Sequence, residues 1–409
     1  MVTKVYPSAL SKIRILDLTH LVAGPYCTKL LADFGAEVIK VERAEGGDKA
    51  RYLPPFKDNL QGPEHSLLFQ YLNTNKKSVT LDLKSKVGKK AFFDLVDHCD
   101  LLVENFKPGT LQRLGIDRNT LLQKNNDLVI VSISNFGQFG PYRDYGANDL
   151  IHYALSGLMF VFGSTDREPL KHAFRQAQFK AGTNAASASL LGILGVKYGL
   201  GGQSIDVSIH ESMASAVRDT TTSFAATGVV PTRQGPMKGE IPRAPIRAKD
   251  GYVVPINFGS ADWSKTADLL ENPELLDERF SSNKSRRLHS QDFEKLVRES
   301  FSRKNKYDLF YEAHSHRELV YGVVQDVSEL LNNPQYEYDQ YFEGIDHPIT
   351  GNVLFPGSPF KLSETPRKKT VPAPLLGQDN LQVFQELTTL TKNEIDYICE
   401  SIISCPPPK

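Results

Sequence analysis

The stretch that decides the fold is residues 13–42, IRILDLTHLVAGPYCTKLLADFGAEVIKVE. Its apolar run at 13–18 predicts a strand, and a turn at 19–25 follows. A helix is expected from 26 to 34, because Gly35 is a common helix stop, and 37–42 predicts a second strand. A strand, a helix and another strand in immediate succession are typical of a parallel α/β sheet.

The same alternation continues along the chain. Further strands are predicted at 78–83, 101–104, 128–133 and 204–209, with helices at 86–99 and 181–198. Ligands of such sheets bind at the carboxyl ends of the strands. The loops at 19–25, 43–51, 104–109 and 134–142 are therefore the candidate functional edge.

The pattern changes in the second half of the chain. Residues 1–217 are expected to form the N-terminal part of a large domain, and 218–250, rich in Thr, Gly, Pro and Arg, a loop-rich crossing linker. Residues 251–346 predict a smaller mixed α/β domain, with a strand at 252–257 and helices near 263–270, 293–300 and 306–314. Residues 347–409 are expected to complete the large domain, with a closing helix at 380–402.

Composition narrows the class of protein. The 409 residues are 40% hydrophobic, and 48 basic residues balance 48 acidic ones, so no nucleic-acid or membrane partner is indicated. No apolar run is long enough to span a bilayer, and residues 1–8 lack a signal-peptide core. The four cysteines form no CxxC pair or zinc spacing, which predicts a cytoplasmic protein with reduced thiols and no metal.

Several segments carry a resemblance that spans most of the chain. They are 16–25, 31–43, 73–78, 103–109, 137–142 and 372–378. In this order they resemble the class III CoA-transferases, a family that includes formyl-CoA and carnitine CoA-transferases and α-methylacyl-CoA racemases. The resemblance implies a large domain with a nucleotide-binding-like parallel sheet, a smaller mixed domain, and two subunits interlocked like linked rings.

The resemblance also implies a site for coenzyme A or an acyl-CoA as substrate. CoA carries a 3′-phosphate and a pyrophosphate, so its site needs cations and N–H donors. The positions similar to the family's CoA contacts are His20, Leu21, Val22, Arg43, Leu72, Asn73, Asn75, Lys76, Lys77 and Arg113. Val22 departs from the formyl-CoA transferases, which carry glutamine at this position.

Gln178 is the main departure from the family pattern. It stands where the transferases carry the aspartate that attacks the thioester and holds the acyl group as an anhydride, which a glutamine cannot do. Racemases use that aspartate and a histidine as their two bases, and Asn148 occupies the histidine position. Asp149 is expected to cap the following helix, and His152 and His172 to lack a partner that would make either a base.

Three functions fit these residues. The favoured one is a subunit of a heteromeric class III transferase, of the succinyl-CoA:benzylsuccinate type, that moves CoA between an acyl-CoA and a carboxylic acid, in particular a diacid. A homologous subunit would supply the aspartate. The second is a homodimeric CoA-thioester isomerase or lyase in which Gln178 donates a hydrogen bond to the thioester carbonyl. The third is a CoA-binding protein without catalysis.

Overall fold

The structure is a computed structural model that describes residues 7–165, 167–233, 245–256, 263–316 and 319–401. The chain divides into two compact units. The larger takes in the described residues of Met1–Phe160, Lys171–Val230 and Gln340–Lys409, and the smaller those of Val161–Leu170 and Pro231–Asp339. The smaller unit thus includes residues 161–170, which the sequence-based boundaries place in the large domain. Residues 257 and 402, where a predicted strand and the predicted last helix end, lie outside the described residues.

Six parallel strands form the main sheet of the larger unit. They are β1 Arg14–Asp17, β2 Glu37–Glu42, β3 Lys76–Thr80, β4 Leu101–Glu104, β5 Val129–Ser134 and β6 Ser204–Ser208. Their order is β3-β2-β1-β4-β5-β6, and each neighbouring pair is parallel. This is the order of doubly wound nucleotide-binding folds, in which the direction of winding reverses between β1 and β4. The predicted parallel α/β fold is confirmed.

Helices cover both faces of this sheet. Those of the first 230 residues are α1 Ala23–Asp33, α2 Leu67–Asn73, α3 Lys86–Val96, α4 Thr110–Arg113, α5 Arg118–Lys124, α6 Asp149–Leu155, α7 Leu158–Val161, α8 Gln176–Lys197, α9 Ile209–Ala214 and α10 Arg218–Thr227. Successive strand residues point to opposite faces, so Ile15 belongs to the core beneath α1 and α8 while Leu16 belongs to the core beneath α3 and α5.

Helix α8 packs closely on α1 and on the sheet. A Cβ at Gly182 would lie 2.6 Å from the carbonyl oxygen of Ala23, and one at Gly192 would lie 2.6 Å from a methyl carbon of Val129. Only glycine permits such approaches, and the face of α8 that carries the small residues is buried, whereas Leu191 on its other side is 69% exposed. The helix begins at Gln176, five residues before the predicted start, and Gln178 therefore lies in its first turn.

The smaller unit has its own core. Its helices are α11 Ser264–Leu269, α12 Asn283–Leu288, α13 Ser290–Ser302, α14 Lys306–His316, α15 Val327–Leu331 and α16 Pro334–Asp339. They accompany an antiparallel sheet of β7 Ile246–Arg247, β8 Tyr252–Ile256 and β9 Val320–Val323. Trp263, Phe293 and Phe301 are buried at its centre.

The C-terminal part of the larger unit holds the hairpin β10 Phe342–His347 and β11 Gly351–Pro356, then α17 Asn380–Leu387 and α18 Lys392–Glu400. The single helix predicted at 380–402 is therefore wrong. Thr391 starts α18 with a capping box, in which its hydroxyl accepts from the Glu394 N–H and the Glu394 carboxylate accepts from the Thr391 N–H.

The predicted linker at 218–250 also needs a correction. Its first ten residues form helix α10, none of whose residues is buried, and the helix ends at Gly228 with a φ of +70°. Residues 234–244 lie outside the described part. Over the residues that the structure describes, no helix is both long and apolar enough to cross a membrane.

Candidate functional site

The reversal of strand order between β1 and β4 opens a crevice at the carboxyl ends of these strands. Asn105, directly after β4, holds the turn that follows β1. Its side-chain oxygen accepts from the His20 N–H at 2.9 Å, and its side-chain nitrogen donates to the His20 carbonyl at 2.7 Å. One amide therefore fixes both sides of the crevice relative to each other.

The turn after β1 is anchored from a second side. Leu21 has a φ of +67°, which a leucine adopts only when its surroundings hold it there, and its N–H donates to Asp48 at 3.0 Å. The N–H groups of His20 and Leu21 are thus already used within the protein. Val22, only 1% exposed, packs in the interior.

The His20 side chain remains partly accessible at this edge. Its ring lies 5.8 Å from that of Phe106, and burial lowers the pKa of His20 below its usual value. The lowered pKa favours the neutral imidazole, which has one N–H donor and one acceptor nitrogen.

Buried charges hold the loop that leaves β2. The Arg51 guanidinium contacts both oxygens of Glu42 at 2.8 Å and Glu64 at 2.7 Å. Arg43 in the same loop is exposed, and its only hydrogen bond within the described residues is a long one of 3.4 Å to the Gly47 carbonyl. Arg43 is therefore free to meet an anion at this edge.

Lys76 has a different position from the one that the resemblance implies. It is fully buried, and its ammonium donates to Asp17 at 3.0 Å and to the Pro25 carbonyl and Asn73 at 2.9 Å. Burial lowers the pKa of Lys76 to about 8, although Asp17 opposes the shift. All three N–H bonds are used, so none is left for a phosphate, and the expected contact of Lys76 with CoA is not supported by this geometry.

The neighbours of Lys76 serve the same local structure. Leu72 is buried, and Asn75, with a φ of +65°, donates to Asp33 at 2.7 Å and accepts from the Val371 N–H at 2.7 Å. Asn73 donates to the Phe69 carbonyl. These residues lie just before β3, at the amino end of the strand rather than at the carboxyl edge.

Two more cations complete the predicted set. Lys77, in β3, forms an ion pair with Glu37 at 2.8 Å. Arg113 is exposed at the end of α4, in the connection that leaves β4, and donates to the Thr110 hydroxyl. The structure therefore brings His20, Arg43 and Arg113 to the carboxyl edge, but leaves Lys77 at the opposite end of the sheet.

Gln178 lies close to the start of α1. It precedes Gly182 by four residues, so both lie on the face of α8 that meets Ala23. The neighbouring Phe179 ring packs edge-on against Tyr26 at 4.9 Å. Gln178 is half-buried, and its side-chain amide has no hydrogen-bond partner among the described residues. This amide is therefore available to a ligand.

Asp149 supports Gln178 indirectly. Its carboxylate accepts from the Ala177 N–H at 2.9 Å, which caps α8, and lies 3.4 Å from the Lys171 ammonium. The residue that caps α6 is Asn148, whose side chain accepts from the Ile151 N–H. The expectation that Asp149 caps the following helix is thus wrong, because it caps the helix that carries Gln178.

Both histidines near this helix have hydrogen-bond partners, but neither partner is a carboxylate that would make the histidine a base. His152 lies 3.3 Å from the Asn135 side-chain oxygen, and His172 lies 3.0 Å from the Tyr153 hydroxyl. Burial, with a smaller contribution from His210, lowers the pKa of His152 to about 4. A group with this pKa stays neutral at neutral pH and is a weak base.

Glu104, which the sequence analysis did not single out, is an unusual carboxyl group. It ends β4, and its register neighbours across β5 and β6 are Ser132 and Asp206. Burial raises its pKa to about 7, and the nearby Asp206 adds to the shift. The sequence does contain a signal for Glu104, because it is a charged residue at the end of an otherwise apolar strand.

Comparisons with known proteins agree with this architecture. A family model described as CoA-transferase family III matches residues 10–380. The chain is 32% identical to the succinyl-CoA:mesaconate CoA-transferase of Haloarcula hispanica, over 92% of this chain and 96% of that one. It is 29% identical to the succinyl-CoA–L-malate CoA-transferase alpha subunit of Chloroflexus aurantiacus, over 94% and 90% of the two chains.

A solved structure shows the same fold. The crystal structure of a CaiB/BaiF family protein from Brucella suis superposes with a TM-score of 0.85 at 27% identity, over 93% of this chain and all of that one. The agreement extends across both sequence and structure. The chain therefore belongs to CoA-transferase family III.

Proposed function

We propose that this chain is a subunit of a CoA-transferase that moves CoA from an acyl-CoA thioester to a carboxylic acid, and that its own site lacks the nucleophile. The observation that carries the proposal is Gln178, in the first turn of α8 beside the turn that follows β1. The family's nucleophilic aspartate corresponds to this position. The frame of the site is intact, and the reactive group is replaced by an amide.

The chemistry explains why the replacement matters. A carboxylate oxygen attacks the thioester carbonyl, the C–S bond breaks, and the acyl group is held as an anhydride while CoA leaves as the thiolate. The Gln178 amide is a poor nucleophile and forms no anhydride. The first turn of a helix favours a negative charge, so the site itself is suited to the missing carboxylate.

CoA would bind at the carboxyl edge of the sheet. Of the ten positions named by the resemblance, Arg43 and Arg113 present exposed cations there, and the neutral His20 ring offers one hydrogen bond. Lys77 pairs with Glu37 at the opposite end of the sheet, and the other candidates make their contacts within the protein. This smaller set is our proposed CoA contact, since arginines bind phosphate oxygens through paired N–H groups.

The acid acceptor would be a dicarboxylic acid. Relatives are named for mesaconate and L-malate, which both carry two carboxylates. The proposal of a dicarboxylic acceptor therefore rests on the acids for which these relatives are named.

A homologous subunit would supply the aspartate. The outer face of α8 exposes a row of large apolar side chains, Leu190, Leu191, Leu194 and Tyr198, of which Leu191 is 69% and Tyr198 75% exposed. Contiguous apolar surface of this kind is typical of an interface with another chain. The alpha-subunit name of the Chloroflexus relative supports a heteromer. We propose that the two chains interlock, so that this subunit is required for folding although it performs no chemistry.

The test is to purify this chain alone and after co-expression with a homologous chain that has aspartate at the corresponding position. We expect CoA transfer only from the complex, and transfer at a detectable rate by the Gln178→Asp variant alone. Full transfer activity by the unmodified chain alone would overturn the proposal. An isomerase or lyase activity that Gln178→Ala abolishes would instead favour the second function named above.

A further inference from the structure

Two arginines converge over one glycine in the connection that leaves β4. Gly109 has a φ of +78°, and a Cβ at this residue would lie 3.3 Å from Arg113 Nη1 and 3.3 Å from Arg143 Nη2. The two guanidinium nitrogens are therefore no more than 6.6 Å apart, the sum of those two distances. Arg143 comes from the loop after β5 and did not figure among the sequence-based candidates.

Among the described residues, the two arginines have one weak ion pair between them. It joins Arg143 Nε to an oxygen of Asp144 at 4.0 Å, and the Asp144 side chain is 80% exposed. Arg143 Nε is buried and has no hydrogen-bond partner in the described part of the chain. The Arg113 guanidinium bonds only to the Thr110 hydroxyl. Two like charges this close repel each other unless an anion bridges them.

We propose that Arg113 and Arg143 form a clamp over Gly109 that binds a phosphate group of the acyl-CoA. This inference rests on the proposed function and extends it, because it adds Arg143 as a phosphate ligand. Guanidinium groups offer paired N–H donors that fit phosphate oxygens, and glycine leaves the space between them open. The clamp lies in the connections after β4 and β5, at the edge where ligands of such sheets bind.

The experiment compares the wild-type protein, in its natural assembly, with Arg143→Gln. Calorimetry would measure the binding of inorganic pyrophosphate, CoA and 3′-dephospho-CoA. We expect Arg143→Gln to weaken the binding of pyrophosphate and CoA at least about tenfold, since a charge-assisted contact is lost. Arg118→Gln, which removes an exposed arginine from the next helix, should bind as the wild type does.

The ligands separate the possible outcomes. A loss that affects CoA but not 3′-dephospho-CoA assigns the clamp to the 3′-phosphate, and an equal loss for both assigns it to the pyrophosphate. If the wild type binds pyrophosphate through Arg143 but does not bind CoA, the clamp stands and the proposed function fails. Unchanged binding of CoA by Arg143→Gln overturns the clamp alone, whether or not the wild type binds pyrophosphate. Arg143→Lys, which keeps the charge, should give intermediate affinity and replaces Arg143→Gln if that variant does not fold.

Discussion

The variant Lys76→Met tests whether Lys76 stabilises the fold or contacts CoA. The Lys76 ammonium is fully buried and makes three hydrogen bonds, one of them to the buried carboxylate of Asp17 at 3.0 Å. Removing one partner of a buried ion pair leaves the other charge without compensation, which costs about 3–5 kcal/mol. Asp17 keeps its bonds from Thr19 and Thr28, so we expect the lower end of this range.

The measurement is urea unfolding at one fixed protomer concentration, followed by CoA titration of the folded variant. We expect Lys76→Met to lose about 3 kcal/mol of unfolding free energy and to keep CoA affinity within about threefold of the wild type. Lys77→Met is the matched control. It removes a half-exposed ion pair with Glu37, which contributes no more than about 1 kcal/mol.

The opposite pattern would refute this reasoning. If Lys76→Met unfolds at the wild-type urea concentration but loses CoA affinity tenfold or more, Lys76 contacts CoA directly. The buried geometry would then not be that of the CoA-bound protein.

Two further predictions concern the same unit of the protein. Burial raises the pKa of Glu104 from 4.5 to about 7, so between these pH values the folded chain holds a proton that the unfolded chain releases. The stability that this proton contributes is fully present below pH 4.5 and is lost as the pH rises through about 7. The free energy of unfolding of Glu104→Gln should not fall across this pH window, and above pH 7 it should exceed that of the wild type by about 3 kcal/mol. The same dependence on pH in both proteins would contradict this prediction. Gly182→Ala should lose about 1–3 kcal/mol in thermal unfolding, because its Cβ would meet the Ala23 carbonyl at 2.6 Å. Gly195→Ala, whose Cβ meets only side chains, should be neutral or stabilising by up to about 1 kcal/mol, and equal stability of the two variants would rule out the close approach of α8 to α1.

Local patterns were sufficient to predict the strands of the sheet. The runs at 37–42 and 101–104 coincide with β2 and β4 because apolar residues bounded by turns identify buried strands. Strand order depends on contacts between distant segments, which no local pattern contains. Helix α10 was missed because its threonine-rich sequence has low helix propensity, whereas the break before α18 was visible in the pair Thr391 and Glu394.

The candidate site was predictable only in part. Arg43 and Arg113 lie in the connections that follow β2 and β4. Ligands of parallel sheets bind at the carboxyl ends of the strands, so this position indicates the functional edge. Lys76 was assigned to CoA from the resemblance. Its partner Asp17 is 59 residues away in sequence, and only the fold reveals that pair. The same holds for Arg143, which meets Arg113 over Gly109 through two separate loops.

The most direct test of the central claim measures CoA transfer by the assembled complex after one of two corresponding side chains is changed at a time. A subunit without a nucleophile predicts that Gln178→Ala in this chain leaves at least half of the rate. Replacement of the matching aspartate of the partner subunit by asparagine should abolish transfer. Transfer that survives the loss of that aspartate and disappears with Gln178→Ala would contradict the claim.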